Sequence, residues 1–224
     1  MRTKTLLIAA AALVAGVVSS EAQVYSANIV GYVNVTVPAA SYVLMANPLT
    51  TGNDVLTNVI PPGSVPNTTT KAYIYSGGSF GGAYTMRAAG WTPSAATVPT
   101  APGDGFFIQN TAATPITITF TGNVLLGTNK LQTTTGYNLI GSQVPVSGLV
   151  QTTLGLPAVN TDYVFEWNAA LGVGGAYEPK ATRHAASWSP AEPNIGTNTL
   201  EGVAEGFFYF SSQGPVWTNI LNNP

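Results

Sequence analysis

The chain is written twice, and that repetition constrains its fold more than any other feature. Tyr42 and Leu44 in SYVLMANPL recur as Tyr137 and Leu139 in GYNLIGSQVP, an offset of 95 (137 − 42). Tyr73 in AYIYS matches Tyr163 in DYVFEW at an offset of 90 (163 − 73). GGAY at 81–84 recurs at 174–177, and Trp91-Thr92-Pro93 recurs as Trp188-Ser189-Pro190. Gly105-Phe106-Phe107 returns as Gly206-Phe207-Phe208. The landmarks keep their order and the offsets drift only where loops can change length, as expected of a duplicated structural unit.

Each unit reads as β-structure. Val33, Val35 and Val37 alternate with Tyr32, Asn34 and Thr36, and Ile116, Ile118 and Phe120 alternate with threonines, which is the period of a strand with one buried face. Further strands are expected at 42–46, 71–76, 83–88 and 105–109, with counterparts at 137–141, 162–167, 176–182 and 206–211. Pro, Gly, Asn and Ser clusters such as PPGSVPNTTT and PAEPNIGTN separate them. One short helix per unit is expected, at 54–59 and 149–154, with Asn53 or Asp54 placed to cap the first. The predicted fold is all-β: two tandem, internally duplicated small β-barrel or sandwich units, residues 23–126 and 127–224, joined near Gly122–Thr128.

Residues 1–22 read as a secretory signal peptide. Arg2 and Lys4 precede an apolar run from Leu6 to Val18, and Ser20-Glu21-Ala22 sets small residues for cleavage after Ala22. The expected location is therefore secreted: periplasmic, cell-surface or extracellular. The sequence contains no cysteine, hence no disulfide framework and no thiol for an acyl anchor. After Val18 no apolar run approaches membrane length.

Charge is scarce. Asp, Glu, Lys and Arg make up 7% of residues, against roughly 25% in ordinary soluble domains. Without residues 1–22 the chain keeps five bases (7 − 2) and eight acids (9 − 1), which leaves no cationic footprint for nucleic acid. A surface of Thr, Ser, Asn and Gln also lacks the charged side chains that usually block strand-edge pairing. The partners this favours are further copies of the chain or a neutral polysaccharide.

The unit pattern, carried by GYNLIG, WSPAEP and GDGFFIQN, resembles a β-repeat of secreted bacterial surface proteins. The stretch AQVYSANIVGYVNVTVP resembles the start of a group of secreted bacterial proteins. The resemblance implies fold and location only.

Candidate chemistry is sparse. Gly77-Gly78-Ser79-Phe80-Gly81 matches the G-x-S-x-G nucleophile elbow, which needs a strand, a strained turn and a helix. The flanks YIYS and AYTMRA read instead as strands joined by a glycine-rich hairpin, and counting back from the shared GGAY sets Ser79 opposite Gly172. His184 is the single histidine; a triad with Ser79 or Ser187 and Glu178 or Glu192 can be written, but no spacing selects it. Asp104 and Glu205 hold equivalent places before the Gly-Phe-Phe strands and read as turn acids. Glu166, Glu178, Glu192 and Glu201 lie only in the second unit, without the D-x-D-x-D-G spacing of a calcium loop. No catalytic residue, metal site or cofactor is expected. The candidate binding residues are aromatic: Trp91 and Trp188 at equivalent turns, with Tyr84 and Tyr177. Exposed rings of this kind suit sugar rings or partner surfaces; the alternative is that they plug the ends of each unit's core. The sequence thus favours a non-enzymatic structural or adhesive protein of the envelope or matrix, self-assembling, with a carbohydrate-binding pair as the alternative and a hydrolase using Ser79 as the remote one.

Overall fold

The computed structural model describes residues 29–195 and 202–222; the proposed signal peptide and Glu201 lie outside them. The first unit contains β1 (Val30–Val37), β2 (Ser41–Ala46), the one-turn helix α1 (Leu56–Val59), β3 (Thr70–Ser76), β4 (Ser79–Phe80), β5 (Tyr84–Arg87), β6 (Gly90–Thr92), β7 (Gly105–Asn110) and β8 (Ile116–Asn123). The second contains β9 (Gly127–Gln132), β10 (Gly136–Gly141), β11 (Gly148–Leu149), β12 (Tyr163–Asn168), β13 (Ala176–Tyr177), β14 (Ala181–Arg183), β15 (Trp188–Ser189), β16 (Asn194–Ile195), β17 (Gly206–Ser211) and β18 (Val216–Leu221). Among the described residues no helix is long and apolar enough to cross a membrane.

Both units have the same plan. In the first, an antiparallel sheet ordered β2-β7-β3-β5-β6, with β4 hairpinned onto β3, faces the two-stranded ribbon β1-β8. In the second, β10-β17-β12-β14-β15, with β13 on β12, faces β9-β18. The duplication holds at the level of register. Tyr42↔Gln109, Leu44↔Phe107 and Ala46↔Gly105 in the first unit become Tyr137↔Phe210, Leu139↔Phe208 and Gly141↔Gly206 in the second. Those offsets are 95 on one strand and 101 on the other.

Pairing also corrects two sequence matches. Phe107 pairs with Tyr73, and its counterpart Phe208 pairs with Phe165, so Phe165 and not Tyr163 is the equivalent of Tyr73. Tyr75↔Phe80 corresponds to Trp167↔Tyr177, so Tyr177 answers to Phe80 and Ser79 to Ala176. Tyr84 pairs with Ala72 as Ala181 does with Val164, so the two GGAY copies are not equivalent. The cause is a hairpin loop of two residues, Gly77-Gly78, that becomes seven residues, 169–175, in the second unit. Gly77 and Gly78 have φ of 60° and 86°, the left-handed pair that a tight hairpin requires and glycine adopts at little cost.

Each ribbon closes a core. Val35 and Val37 pair with Ile118 and Ile116, and all four are buried with Met45, Phe106 and Ile108 of the facing sheet. In the second unit Trp217 is fully buried with Phe207 and Tyr209, and its indole N–H donates to the Leu154 carbonyl at 2.8 Å. Asp162, also fully buried, accepts from the Tyr209 hydroxyl at 2.5 Å and from the Ser212 N–H and hydroxyl at 2.8 Å. A buried carboxylate is tolerated only when its oxygens are satisfied in this way.

Two expected elements differ. The helix expected over 149–154 is absent: Leu149 ends β11 and residues 150–154 form turns, with both Thr153 and Leu154 N–H donating to the Leu149 carbonyl. The strand expected over 176–182 is split into β13 and β14 by Glu178-Pro179-Lys180, because proline has no N–H for the ladder. Asp54 caps no helix: its carboxylate accepts from the Thr51 N–H and the Thr50 hydroxyl, closing the preceding turn, and Val55 occupies the helix N-cap.

The units meet about an approximate two-fold axis. A bridge joins Met45 to Glu205, and its mirror joins Ile140 to Asp104; the offsets are again 95 and 101. The approach is so close that no side chain fits at its centre. A Cβ on Gly206 would lie 2.9 Å from the Met45 carbonyl, and one on Gly105 would lie 2.9 Å from that of Leu139. Gly206→Ala should therefore push the units apart and lower stability by about 1–3 kcal/mol, the usual cost of overpacking, measured as a fall in chemical-denaturation midpoint. An unchanged midpoint would mean that the junction is looser than described.

Candidate binding site

Several sheet strands are apolar on both faces. In β2, Val43 and Met45 enter the first core, while Tyr42 and Leu44 face the other way; Phe106 and Phe107 of β7 divide likewise, as do Phe207 and Phe208 of β17. The outward residues Leu44, Phe107, Leu139 and Phe208 form a third apolar cluster between the units, ringed by Tyr42, Tyr73, Tyr75, Phe165 and Trp167.

The rings of this cluster obey the two-fold. Tyr75 meets Phe208 edge-on at 5.0 Å, and Trp167 meets Phe107 edge-on at 4.9 Å. Tyr75–Phe80 at 5.2 Å is matched by Trp167–Tyr177 at 4.9 Å. Phe80 lies 5.6 Å from Phe107 and 6.0 Å from Phe208; Tyr177 lies 6.0 Å from Phe208 and 6.5 Å from Phe107. Edge-to-face contacts of this kind each add about 0.5–1.5 kcal/mol to simple burial.

The cluster is not closed over. Its residues border several pockets, two larger polar ones of about 530 and 540 Å³ reaching Asp104, and two walled mainly by rings, of about 340 Å³ and about 300 Å³. The larger of the ring-walled pair is lined by Tyr75, Gly78, Tyr137, Phe165, Tyr177 and Phe208. The smaller of that pair is lined by Tyr42, Tyr73, Phe80, Phe107, Trp167 and Tyr177. Ring for ring they are counterparts: Tyr75 with Trp167, Tyr137 with Tyr42, Phe165 with Tyr73, Phe208 with Phe107, and Tyr177 with Phe80. Tyr177 lines both. Phe80 and Tyr177 are 39% and 44% exposed, so the rings face solvent at the mouth. Both volumes fall at the small end of ligand pockets.

No described residue lining either ring-walled pocket is charged. The phenols of Tyr73, Tyr75 and Tyr177 stay neutral as well. Burial pushes the hydroxyls of Tyr73, Tyr75 and Tyr177 above the usual tyrosine range, with Tyr42 reinforcing the first, Tyr137 the second and Tyr75 the third; Tyr177 reaches about 12. They remain O–H groups across any physiological pH, able both to donate and to accept. Trp167 is fixed across the junction by its indole N–H, which donates to the Tyr42 carbonyl at 2.8 Å. The loop 169–175 also docks on the first unit, where the Tyr42 N–H donates to the Gly174 carbonyl at 3.0 Å.

Of the four residues expected from the sequence to bind, only Tyr177 is in this cleft. Trp91 and Trp188 are 5% and 9% exposed, each in its own unit's core. The Trp91 indole donates to the Ile60 carbonyl at 2.9 Å and that of Trp188 to the Gln151 side chain at 3.0 Å. They are the plugs of the alternative reading, because the short strands carrying them turn their rings inward. Tyr84 packs half-buried against the first core. The cleft residues that sequence reasoning missed did leave a signal: Tyr73-x-Tyr75 and Tyr163-x-Phe165-x-Trp167 are aromatic every second residue, a face too apolar to be left to solvent.

The remaining candidates disperse. Ser79 and Ser76 close the Gly77-Gly78 hairpin, and the strand β5 follows, not a helix. His184 is exposed in the β14–β15 turn, its backbone N–H bonded to the Ser187 carbonyl. Glu192 accepts from the Gln151 and Thr152 N–H groups at 2.7 and 2.6 Å, and Glu178 from the Asn168 amide at 2.8 Å. Asp104 accepts the Ala101 N–H at 2.8 Å, as a turn acid does. Among the described residues no three His, Asp or Glu side chains gather as a metal site would need.

Glu166 is a strongly perturbed acid. It shares the inward face of β12 with buried Val164, and burial, then the Glu178 charge, raises it from 4.5 to about 7. A raised carboxyl favours the protonated folded state, so its penalty is absent below pH 4.5, grows as pH rises, and is complete above about 7. Glu166→Gln should therefore stabilise the protein by about 3 kcal/mol at pH 8 and hardly at all at pH 4, read from unfolding midpoints at both pH values. Equal effects at both would remove the titration as the cause.

Comparison of the chain with known protein families, with curated proteins and with solved structures found no match. The fold and the cleft therefore carry the functional reading by themselves.

Proposed function

We propose that this is a secreted, non-enzymatic adhesive protein that grips an uncharged polysaccharide in the cleft between its two units. One observation carries the reading: two counterpart pockets, open to solvent, are walled by aromatic rings and contain no charged lining residue. Aromatic faces cover the C–H faces of sugar rings, and neutral phenols supply the hydrogen bonds that orient them. An uncharged wall selects an uncharged polymer, since an isolated ion would lose hydration there without gaining a partner. The Arg2/Lys4, Leu6–Val18 and Ser20-Glu21-Ala22 pattern supports export. The experiment is electrophoresis of the mature protein, residues 23–224, through native gels cast with soluble β-glucan, α-glucan, xylan or mannan. Retardation by at least one polymer is expected; equal mobility in all of them and in the blank gel rejects the proposal.

Self-association remains the second reading, on a separate observation. Val30 and Tyr32 on β1 and Ile220 on β18 are 76%, 67% and 64% exposed, apolar residues on the outward faces of both ribbons. Sedimentation of the mature protein over a wide concentration range tests it, a monomer throughout being the contrary result.

A further inference from the structure

The symmetry of the cleft sets how many ligands it holds. Any two-fold axis that exchanges two pockets is perpendicular to the line joining them, and so reverses that line. The axis here does exchange them: Tyr75–Phe208 maps onto Trp167–Phe107, and the Met45–Glu205 bridge onto Ile140–Asp104. A glycan chain is directional, with a reducing and a non-reducing end. Threaded through both pockets, one chain would meet them in opposite senses and could fit only one. Two antiparallel segments satisfy both.

We infer that each molecule binds two separate glycan segments, one per pocket, and thereby cross-links polysaccharide chains without any covalent step. The inference rests on the polysaccharide reading above. Pocket size agrees with it, since about 340 and about 300 Å³ lie near the lower limit for small-ligand sites and not at the size of a long groove. So does the wall between them. Tyr177 lines both pockets, while Tyr73 belongs to the smaller alone and Phe165, its structural counterpart, to the larger alone. Two sites on one molecule hold a polymer network more strongly than either alone, through effective concentration.

The test uses the mature protein and the linear hexasaccharide of whichever polymer retards it in the gel. Calorimetry and native mass spectrometry should show two hexasaccharides per chain, and the protein should raise the viscosity of the dilute polymer. Tyr73→Ala and Phe165→Ala should each leave one site and abolish the viscosity gain; with two variants on different units, a folding failure in one leaves the other informative. A wild-type stoichiometry of one, with the hexasaccharide still bound, overturns the two-segment inference and leaves the polysaccharide reading standing. Retardation by no polymer overturns both.

Discussion

Trp91→Ala and Trp188→Ala should each unfold the unit that carries the substitution, and should not act as binding variants. Both indoles are buried, and removing a ring of that size from a packed core costs about 3–5 kcal/mol. Each also leaves an acceptor behind, the buried Ile60 carbonyl in one unit and the half-buried Gln151 side chain in the other, and an orphaned buried acceptor such as the Ile60 carbonyl adds about 1–3 kcal/mol. Against a typical domain stability of roughly 5–15 kcal/mol, the sum removes most of the margin. Circular dichroism and thermal unfolding check this. A variant with wild-type unfolding temperature and no polysaccharide binding would return the tryptophans to the surface as platforms.

The reverse pattern is expected for Phe80→Ala combined with Tyr177→Ala. These rings are 39% and 44% exposed, so truncation exposes little new core, and the cost is limited to ring contacts with Tyr75, Phe107, Phe165, Trp167 and Phe208. Binding should suffer far more, because one ring walls the smaller pocket and the other walls both. If each contributes about 1.5 kcal/mol of ring stacking, the pair accounts for roughly a hundredfold in affinity. Calorimetry with the retarding polymer's hexasaccharide, beside thermal unfolding of the same samples, separates the two effects. Undiminished affinity in a folded double variant would place the site elsewhere.

Much of the fold is legible in the residues because strand alternation is local. Val33-x-Val35-x-Val37 and Ile116-x-Ile118-x-Phe120 announce β1 and β8, and the Trp91 and Trp188 turns mark equivalent corners. The errors share one cause. A strand looks the same when slid by two residues, since the side chains return to the same faces. Tyr73 could therefore be matched to Tyr163 although pairing makes Phe165 its counterpart. The GGAY identity misled in a related way, because a five-residue growth of one hairpin placed the same four letters on different walls. The strands β9 and β18 escaped notice since GTNKLQ and VWTNIL alternate weakly, with Asn129 and Asn219 at positions where the first ribbon has aliphatic residues.

The cleft was legible only by halves. Strands apolar on both faces indicate a second covered surface, but what covers it depends on how the units turn toward each other. That turn is set by the glycines at 105 and 206, whose missing side chains let Leu139 and Met45 approach. Nothing local distinguishes these from any other glycine before a Phe-Phe strand. Once the two-fold is in place, residues scattered from Tyr42 to Phe208 converge, and Phe80, beside a serine that draws attention as a nucleophile, becomes the residue of interest.

The most direct measurement uses the four tryptophans as reporters. Trp91, Trp188 and Trp217 are buried in the unit cores, and Trp167 lines the cleft. Their indole N–H resonances, followed during titration with the hexasaccharide of the retarding polymer, should separate into one that moves and three that do not. A shift of Trp167 alone is the expected result. Shifts at Trp91 or Trp188 with Trp167 unmoved would contradict the account.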